Sequence, residues 1–186
     1  DKMQLPLVWI DHHAPSSNNK AYEIDEKKFS NLYIYNPARN KGGDKSSEPA
    51  TYLAYKITER KEELWLAVMG CIADHYLPDF ASEFSEHYPE FWMEKKEIKG
   101  PFDAYYKTEI GRIARSLSFG LKDSITHVVQ LQNFMISAKN PSDVDAELES
   151  TRAFAVKYKE IFSKYSALLE EAKKCAEKKM FFFNRY

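Results

Sequence analysis

The sequence has only two cysteines and no long apolar run, and each of these absences excludes a class of protein. Cys71 and Cys175 are far apart in the chain, so they provide neither a zinc-binding spacing nor a disulfide framework. No stretch approaches the ~20 apolar residues of a membrane span, and no secretory signal is recognisable. We therefore expect a protein of the reducing cytoplasm that has no membrane partner.

Net charge is almost absent as well. The chain has 27 lysine and arginine residues against 28 aspartate and glutamate residues, and its formal net charge is −1. A global basic field that would attract nucleic acid is therefore excluded, although a local groove can still bind such a substrate. Residues 151–186 are locally basic. An exposed helix face is the commoner explanation of such a run, and a surface that faces a polyanion is the alternative.

What the sequence does contain is a short apolar run, Leu7–Ile10, that ends in Asp11, His12 and His13. Its β-branched and aromatic residues are typical of a buried strand in a parallel sheet. Ligands of open α/β sheets bind at the carboxyl ends of such strands, so a site is predicted at these three side chains. Imidazole and carboxylate are ligands of Mn²⁺ and Zn²⁺. The alternative interpretation is a solvated turn.

A second apolar segment also ends in a carboxylate. Residues 62–74 are predicted to form a helix that is buried on nearly all sides and has Asp74 at its C-terminal end. Ala67, Gly70 and Ala73 recur at helical spacing, which permits close packing against a neighbouring helix. A carboxylate at a helix C-terminus is disfavoured by about 0.3–1 kcal/mol through the helix dipole. We therefore expect a positive group beside Asp74, and a divalent cation would serve.

Four short motifs follow one another along roughly the first 80 residues. They are Asp11-His12-His13-Ala14-Pro15, Asn36-Pro37, Gly70-Cys71-Ile72-Ala73-Asp74 and Leu77-Pro78. Their order and spacing resemble the DHH phosphoesterases, and among them the RecJ-like nucleases of the archaeal branch. The resemblance implies a metal-dependent phosphodiesterase, first of all an exonuclease that acts on single-stranded DNA or RNA.

The resemblance also implies roles for individual residues. Asp11, His12 and Asp74 would bind metal, with two Mn²⁺ ions, or Mg²⁺ in their place, in the complete enzyme. His13 would be the catalytic group, supported by Asp11, and would polarise the scissile phosphate or protonate the leaving oxygen. Two divalent ions ~3.5–4 Å apart can neutralise the phosphate and supply a hydroxide at neutral pH.

Arg39, on the loop after the second predicted strand, is the candidate substrate-binding cation. A guanidinium group can bind two phosphate oxygens at once. The alternative is a solvated loop cation without a ligand. His75, which directly follows Asp74, is expected to satisfy the free carbonyls at the helix end rather than to bind metal.

The chain departs from the family pattern in two ways. Family members carry an Asp-x-Asp motif and a bridging aspartate upstream of Asp-His-His, whereas Asp1 is the only acidic residue ahead of Asp11. They also carry a C-terminal Gly-Gly-Gly-His motif, which this sequence lacks. We therefore expect further carboxylates from an N-terminal segment outside this sequence or from a second polypeptide. The alternatives are an inactive RecJ-like scaffold in a replication or repair complex, and a phosphodiesterase for short RNAs or cyclic dinucleotides.

The predicted fold class is α/β. Part of a parallel-sheet DHH phosphoesterase domain, with strands near 7–10 and 32–35, would be followed by a predominantly helical region. Residues 1–80 would form the partial core, residues 81–179 a helical extension, and residues 180–186 the start of a C-terminal domain that this sequence lacks.

Several local predictions follow from spacing and turn chemistry. Residues 100–102 are predicted to be a turn, and the aromatic stripe of residues 80–92 is expected to be core rather than a base-stacking surface. Ser142 is the expected cap of a helix. The expected inward residues of the helix at 49–59 are Ala50, Leu53, Ala54 and Ile57, and those of the helix at 124–138 are Ile125, Val128, Leu131 and Met135.

Overall fold

The structure is a computed structural model, and it describes residues 5–13, 29–37, 48–92, 98–121, 124–145, 152–177 and 180–181. Its strands and helices are, in chain order, β1 (Leu7–Ile10), β2 (Leu32–Tyr35), α1 (Ala50–Thr58), α2 (Leu64–Ala73), α3 (Ala81–His87), α4 (Pro101–Lys107), α5 (Glu109–Gly120), α6 (Ile125–Ser137), α7 (Pro141–Asp145), α8 (Arg152–Cys175), β3 (Ala176–Glu177) and β4 (Met180–Phe181). The described chain is thus mostly helical with a small parallel sheet, in agreement with the α/β prediction.

The two predicted strands pair in parallel, with Ile10 opposite Tyr35. The ladder continues past β1, because the N–H of Asp11 donates to the carbonyl of Tyr35 at 3.1 Å. The carboxyl ends of both strands therefore lie at one edge. The expectation of a buried strand was wrong, since Leu7 and Val8 are 59% and 61% exposed. In the described part of the chain β1 has one neighbouring strand, and the buried core lies among the helices.

The core is built around α2, which packs against α1, α4 and α5. Its apolar residues are buried on nearly all sides, as predicted. Trp65 and Ile72 are at most 1% exposed, and burial of each such side chain stabilises the fold by about 1.5–3 kcal/mol. Gly70 permits the close approach of α1, because a Cβ atom there would lie 2.7 Å from Cγ2 of Thr51. The predicted close packing is therefore confirmed at Gly70.

The same buried cluster extends from Tyr55 in α1 to Val144 in α7. Helices on both sides of residue 80 share it, while the predicted division into domains stays a prediction. Phe80, Phe84 and Phe91 are buried members of the cluster, so the aromatic stripe is core at these positions, as expected. Within the described ranges, none of the helices combines the length and apolar composition that crossing a bilayer requires.

The predicted inward face of α1 is confirmed at Leu53 and wrong at Ala54 and Ile57. Leu53 and Tyr55 are buried, whereas Ala54 is exposed and Ile57 is 69% exposed. The ring of Tyr55 packs against that of Phe80, with centroids 4.6 Å apart. The tertiary neighbours of α1, rather than its own apolar spacing, therefore decide which side faces the core.

Helix α4 begins at Pro101, so the last two residues of the turn predicted at 100–102 are helical. Pro101 is the first helical residue, a position whose N–H has no intrahelical partner in any case. Helix α4 then lies directly on α5 at Gly111. A Cβ atom at this glycine would clash with the carbonyl oxygens of Ala104 and Tyr105. Glycine is therefore required for this close approach of the two backbones.

The sequence predictions for the first turns of α6 and α7 are correct only in part. The predicted start at residue 124 is confirmed, and Ser124 caps α6 through its side chain, a role that the sequence analysis did not assign; Ile125 is 84% exposed rather than inward. Asn140, and not Ser142, caps α7. The Oδ1 atom of Asn140 accepts from the N–H of Asp143 at 3.2 Å, and Oδ2 of Asp143 accepts from the N–H of Asn140 at 3.2 Å. This reciprocal pair satisfies two donors at the helix start.

Candidate metal centre

Asp11 closes the turn that follows β1. Its Oδ1 atom accepts the backbone N–H of His12 at 2.8 Å and that of His13 at 3.2 Å, as short acidic side chains do in Asx turns. The same oxygen lies 2.7 Å from Nδ1 of His13. One carboxylate, 19% exposed, therefore holds both the turn and the orientation of the second imidazole.

This contact determines the tautomer of the His13 ring. An ionised carboxylate can only accept hydrogen bonds, so Nδ1 of His13 carries the proton. In the neutral ring, Nε2 then has the lone pair that a base or a metal ligand requires. Metal-bound imidazoles in proteins typically donate their other ring N–H to a carboxylate or carbonyl. His13 and Asp11 have this arrangement.

His12 has the opposite arrangement. The backbone N–H of Ala50, the first residue of α1, donates to Nδ1 of His12 at 3.2 Å. A neutral ring that accepts at Nδ1 carries its proton on Nε2, and this Nε2 lies 3.9 Å from Oδ2 of Asp74. His12 thus links the start of α1 to the end of α2. Metal binding at Nε2 would require the proton to leave this atom and the Ala50 bond to change.

Asp74 lies at the C-terminal end of α2, as predicted, and two backbone hydrogen bonds close the helix around it. The N–H of Tyr76 donates to the carbonyl of Cys71 at 2.9 Å, and the N–H of His75 donates to that of Ile72 at 3.0 Å. This is the Schellman pattern, which places one residue in the left-handed region. Here that residue is His75, with φ of 56°, at a position where glycine is usual.

The side chain of His75 has a different role from the expected one. Its backbone N–H satisfies a helix carbonyl, whereas its ring stacks on that of Phe102, with centroids 4.8 Å apart, and lies perpendicular to that of Tyr105, with centroids 4.9 Å apart. The left-handed turn therefore places an exposed imidazole ring against α4, immediately after Asp74.

Asn36 is a site residue to which the sequence interpretation gave no role. It is completely buried, and its Nδ2 donates to the carbonyl of His13 at 3.0 Å. This bond ties the end of β2 to the turn after β1. The available signal was a polar side chain directly after a strand and before Pro37, but only the fold shows which carbonyl it binds.

Burial suppresses ionisation of two groups next to Asp74. It raises the pKa of the Cys71 thiol to about 12, and the negative charge of Asp74 adds to this effect. Burial also raises the pKa of the Tyr76 hydroxyl to about 12. Both groups are therefore protonated at neutral pH, and Cys71 has none of the thiolate character that metal binding or nucleophilic attack requires.

The structure brings four of the five predicted site residues into one region. Asp11, His12 and His13 each place one ligand atom within 4.8 Å of the others, and the two imidazole rings stack with centroids 4.4 Å apart. Asp74 joins this group through His12. The assignment of Asp11, His12 and Asp74 as metal ligands, and of His13 as the catalytic group, stays a prediction, and Arg39 lies outside the described residues. These four side chains are called the Asp-His-His-Asp cluster below.

Comparison of the chain with protein-family models, with curated proteins and with solved structures finds no match in any of the three. The assignment of a function therefore depends on the geometry and chemistry of the Asp-His-His-Asp cluster, together with the four sequence motifs that led to it.

Proposed function

We propose that the chain forms part of a metal-dependent phosphodiesterase of the RecJ-like type, with its metal centre at the Asp-His-His-Asp cluster. The observation that carries this proposal is the distance of 3.9 Å between Nε2 of His12 and Oδ2 of Asp74. Ligands of one ion with bonds of about 2.1 Å lie roughly 3–4 Å apart in octahedral geometry. The ends of β1 and α2 are thus close enough to share a cation.

The hydrogen bonds favour different roles for Asp11 and His13 within the cluster. Asp11 holds His13 as the tautomer whose Nε2 can accept a metal or a proton. His13 is 72% exposed, so a phosphate could approach its ring from solvent. A bound divalent ion would neutralise the phosphate and lower the pKa of an attacking water. Once its Nε2 has taken up a proton from solvent, His13 would donate that proton to the leaving oxygen.

The four side chains supply fewer donors than two six-coordinate ions require. The proposal therefore includes further carboxylate ligands, either from other parts of the polypeptide or from a partner chain. Mn²⁺ is the ion we propose, because it accepts both imidazole nitrogen and carboxylate oxygen. Single-stranded DNA or RNA is the proposed substrate, and short RNAs or cyclic dinucleotides are the alternative within the same chemistry.

Calorimetric titration with Mn²⁺ tests the site directly. The Asp74→Asn and Asp11→Asn variants remove a charged ligand but keep an oxygen acceptor, so Asp11→Asn still closes its turn. Each should weaken Mn²⁺ binding at least about tenfold. The matched control is Asp79→Asn, which removes an exposed carboxylate paired with Lys56 at 3.0 Å and should leave the affinity unchanged. Equal affinities in wild type and both site variants would refute the metal centre.

Activity is measured as Mn²⁺-dependent release of nucleotides from end-labelled single-stranded DNA. Chelation of the metal, or the Asp11→Asn substitution, should abolish the release. Comparison with short RNAs and cyclic dinucleotides identifies the substrate. Release that continues at the wild-type rate after either treatment would contradict the proposal.

One observation favours the scaffold alternative. Nδ1 of His12 already accepts a hydrogen bond from α1, which is a structural use of the ring and is unusual for a metal-binding histidine. A scaffold would retain its fold and bind a partner protein, while wild type would show no heat of Mn²⁺ binding. The same titration therefore separates the two functions.

A further inference from the structure

We infer that a row of exposed aromatic rings beside Asp74 stacks against the unpaired bases of a single-stranded nucleic acid. The aromatic row consists of His75, Phe102 and Tyr106. The inference deepens the proposed function and rests on it, because it assigns a base-binding surface to the substrate of the Asp-His-His-Asp cluster.

The three rings are nearly parallel. His75 and Phe102 have centroids 4.8 Å apart and an interplanar angle of 24°. Phe102 and Tyr106 are separated by 6.2 Å, with an angle of 12°. The rings stack on one another, so the bases of a single strand would stack on the ring surface that remains exposed, and this mode is tolerant of sequence because every base has a π-face.

The row faces solvent rather than the core. Phe102 and Tyr106 are four residues apart on α4, so they lie on one side of the helix, and they are 61% and 54% exposed. The left-handed backbone of His75 adds the third ring at a position that side chains rarely occupy. Three adjacent rings on an exposed surface are typical of a binding site.

A cation lies against Tyr106, the last ring of the row, and against its neighbour Tyr105. The guanidinium carbon of Arg115 is 5.4 Å from the ring centroid of Tyr105 and 5.5 Å from that of Tyr106. Its Nη1 donates to the backbone carbonyl of Tyr105, which anchors the group. Within the described ranges, no carboxylate forms an ion pair with Arg115. Rings flanked by arginine match the alternation of bases and phosphates in a single strand.

The position of the aromatic row next to Asp74 favours a nucleic-acid ligand. Its first ring, His75, is the residue after Asp74, and Asp74 contacts His12. A phosphate held at the Asp-His-His-Asp cluster would therefore leave the neighbouring base next to the row. The base must be unpaired, because the faces of bases in a duplex are already stacked. An apolar protein partner would need neither the cation nor the adjacent phosphate site.

Fluorescence anisotropy with a labelled oligonucleotide of about 12 nucleotides tests the inference, with chelator present so that binding is measured without cleavage. Tyr106→Ala should raise the dissociation constant roughly 5- to 150-fold, whereas Tyr106→Phe should bind like wild type. An oligonucleotide of equal length with abasic sites offers no bases to stack on the row. Its affinity for wild type should be as low as the affinity of the normal oligonucleotide for Tyr106→Ala. Phe102→Ala should behave in the same way as Tyr106→Ala.

The control variant is Tyr33→Ala, which removes a ring from β2 that is 59% exposed and should leave oligonucleotide binding unchanged. Circular dichroism confirms that each variant is folded. Equal binding of normal and abasic oligonucleotides, an unchanged dissociation constant in Tyr106→Ala, or no binding by wild type would overturn the inference. Mn²⁺ titration separates the two proposals. Variants of the aromatic row should bind Mn²⁺ like wild type. If only the metal centre were refuted, wild type would still bind the normal oligonucleotide more tightly than the abasic one.

Discussion

The backbone N–H of Ala50 donates to Nδ1 of His12, so an imidazole ring accepts a hydrogen bond at the first residue of α1. Pro49, the residue at the cap position, makes no side-chain hydrogen bond to the helix. His12 therefore performs across the tertiary structure the role that a serine or aspartate cap usually performs locally.

Replacement of this acceptor should destabilise the fold. We expect His12→Ala to lower the free energy of unfolding by about 0.5–2 kcal/mol, which is the range for loss of a helix cap. Urea denaturation followed by circular dichroism measures the change. His87→Ala is the matched control, because its exposed ring lies within hydrogen-bond distance of the carbonyl of Glu83, in the same helix. An unchanged urea midpoint in His12→Ala would contradict the proposed link between β1 and α1.

Loss of the Asn36 amide should affect both stability and metal binding. Asn36→Ala removes a fully buried side chain together with the hydrogen bond that it donates to the carbonyl of His13, so we expect a loss of about 1–3 kcal/mol in the free energy of unfolding. Because the bond holds the turn that carries the candidate ligands, Mn²⁺ affinity should fall about 10- to 100-fold. Thermal unfolding and calorimetry measure the two effects. A stable variant with wild-type Mn²⁺ affinity would show that Asn36 does not position the site.

Removal of the Tyr55 hydroxyl should stabilise the protein. Tyr55 is 7% exposed, and its buried Oη has no hydrogen-bond partner in the described part of the chain. An unsatisfied buried hydroxyl costs about 1–3 kcal/mol, whereas the ring packing on Phe80 is retained by phenylalanine. We expect Tyr55→Phe to raise the free energy of unfolding by about 1 kcal/mol. A lower unfolding midpoint than wild type would show that the hydroxyl is satisfied in solution.

Alkaline pH should destabilise the fold through Cys71 and Tyr76. In the folded state the pKa of each group is raised to about 12, from ordinary values of 9.0 and 10.0 respectively. The unfolded chain therefore releases these protons at lower pH than the folded chain, and unfolding is favoured as pH rises. The stability is fully present below pH 9.0 and is lost progressively towards pH 12.

The measurement is a series of urea midpoints across this pH range. Tyr76→Phe should reduce the fall of the urea midpoint with pH above pH 10.0, where the unfolded tyrosine ionises. Cys71→Ala should reduce the same fall from pH 9.0 upwards. At neutral pH, iodoacetamide should label Cys71 only in the denatured chain. If the urea midpoints of both variants fell with pH as steeply as that of wild type, burial of these two groups would not be the cause of the alkaline destabilisation.

The sequence by itself determined the elements and the ends of the elements that bear the site. Apolar composition was sufficient to predict β1 and α2, and the polar residues that end them, Asp11 and Asp74, mark the same boundaries in the structure. Strand and helix boundaries depend largely on local composition and on groups that cap or break them, so they can be inferred from neighbours in the chain.

The tertiary structure alone decided which sides of those elements meet. It selected the buried face of α1, placed α4 on Gly111, and gave His12 and His13 opposite tautomers through contacts with Ala50 and Asp11. It also formed the aromatic row beside Asp74. These features depend on contacts between residues far apart in the chain, where packing and hydrogen-bond satisfaction outweigh local preference. The chemistry of the candidate site was therefore visible in the residue types, whereas the hydrogen-bonding pattern of each side chain required the fold.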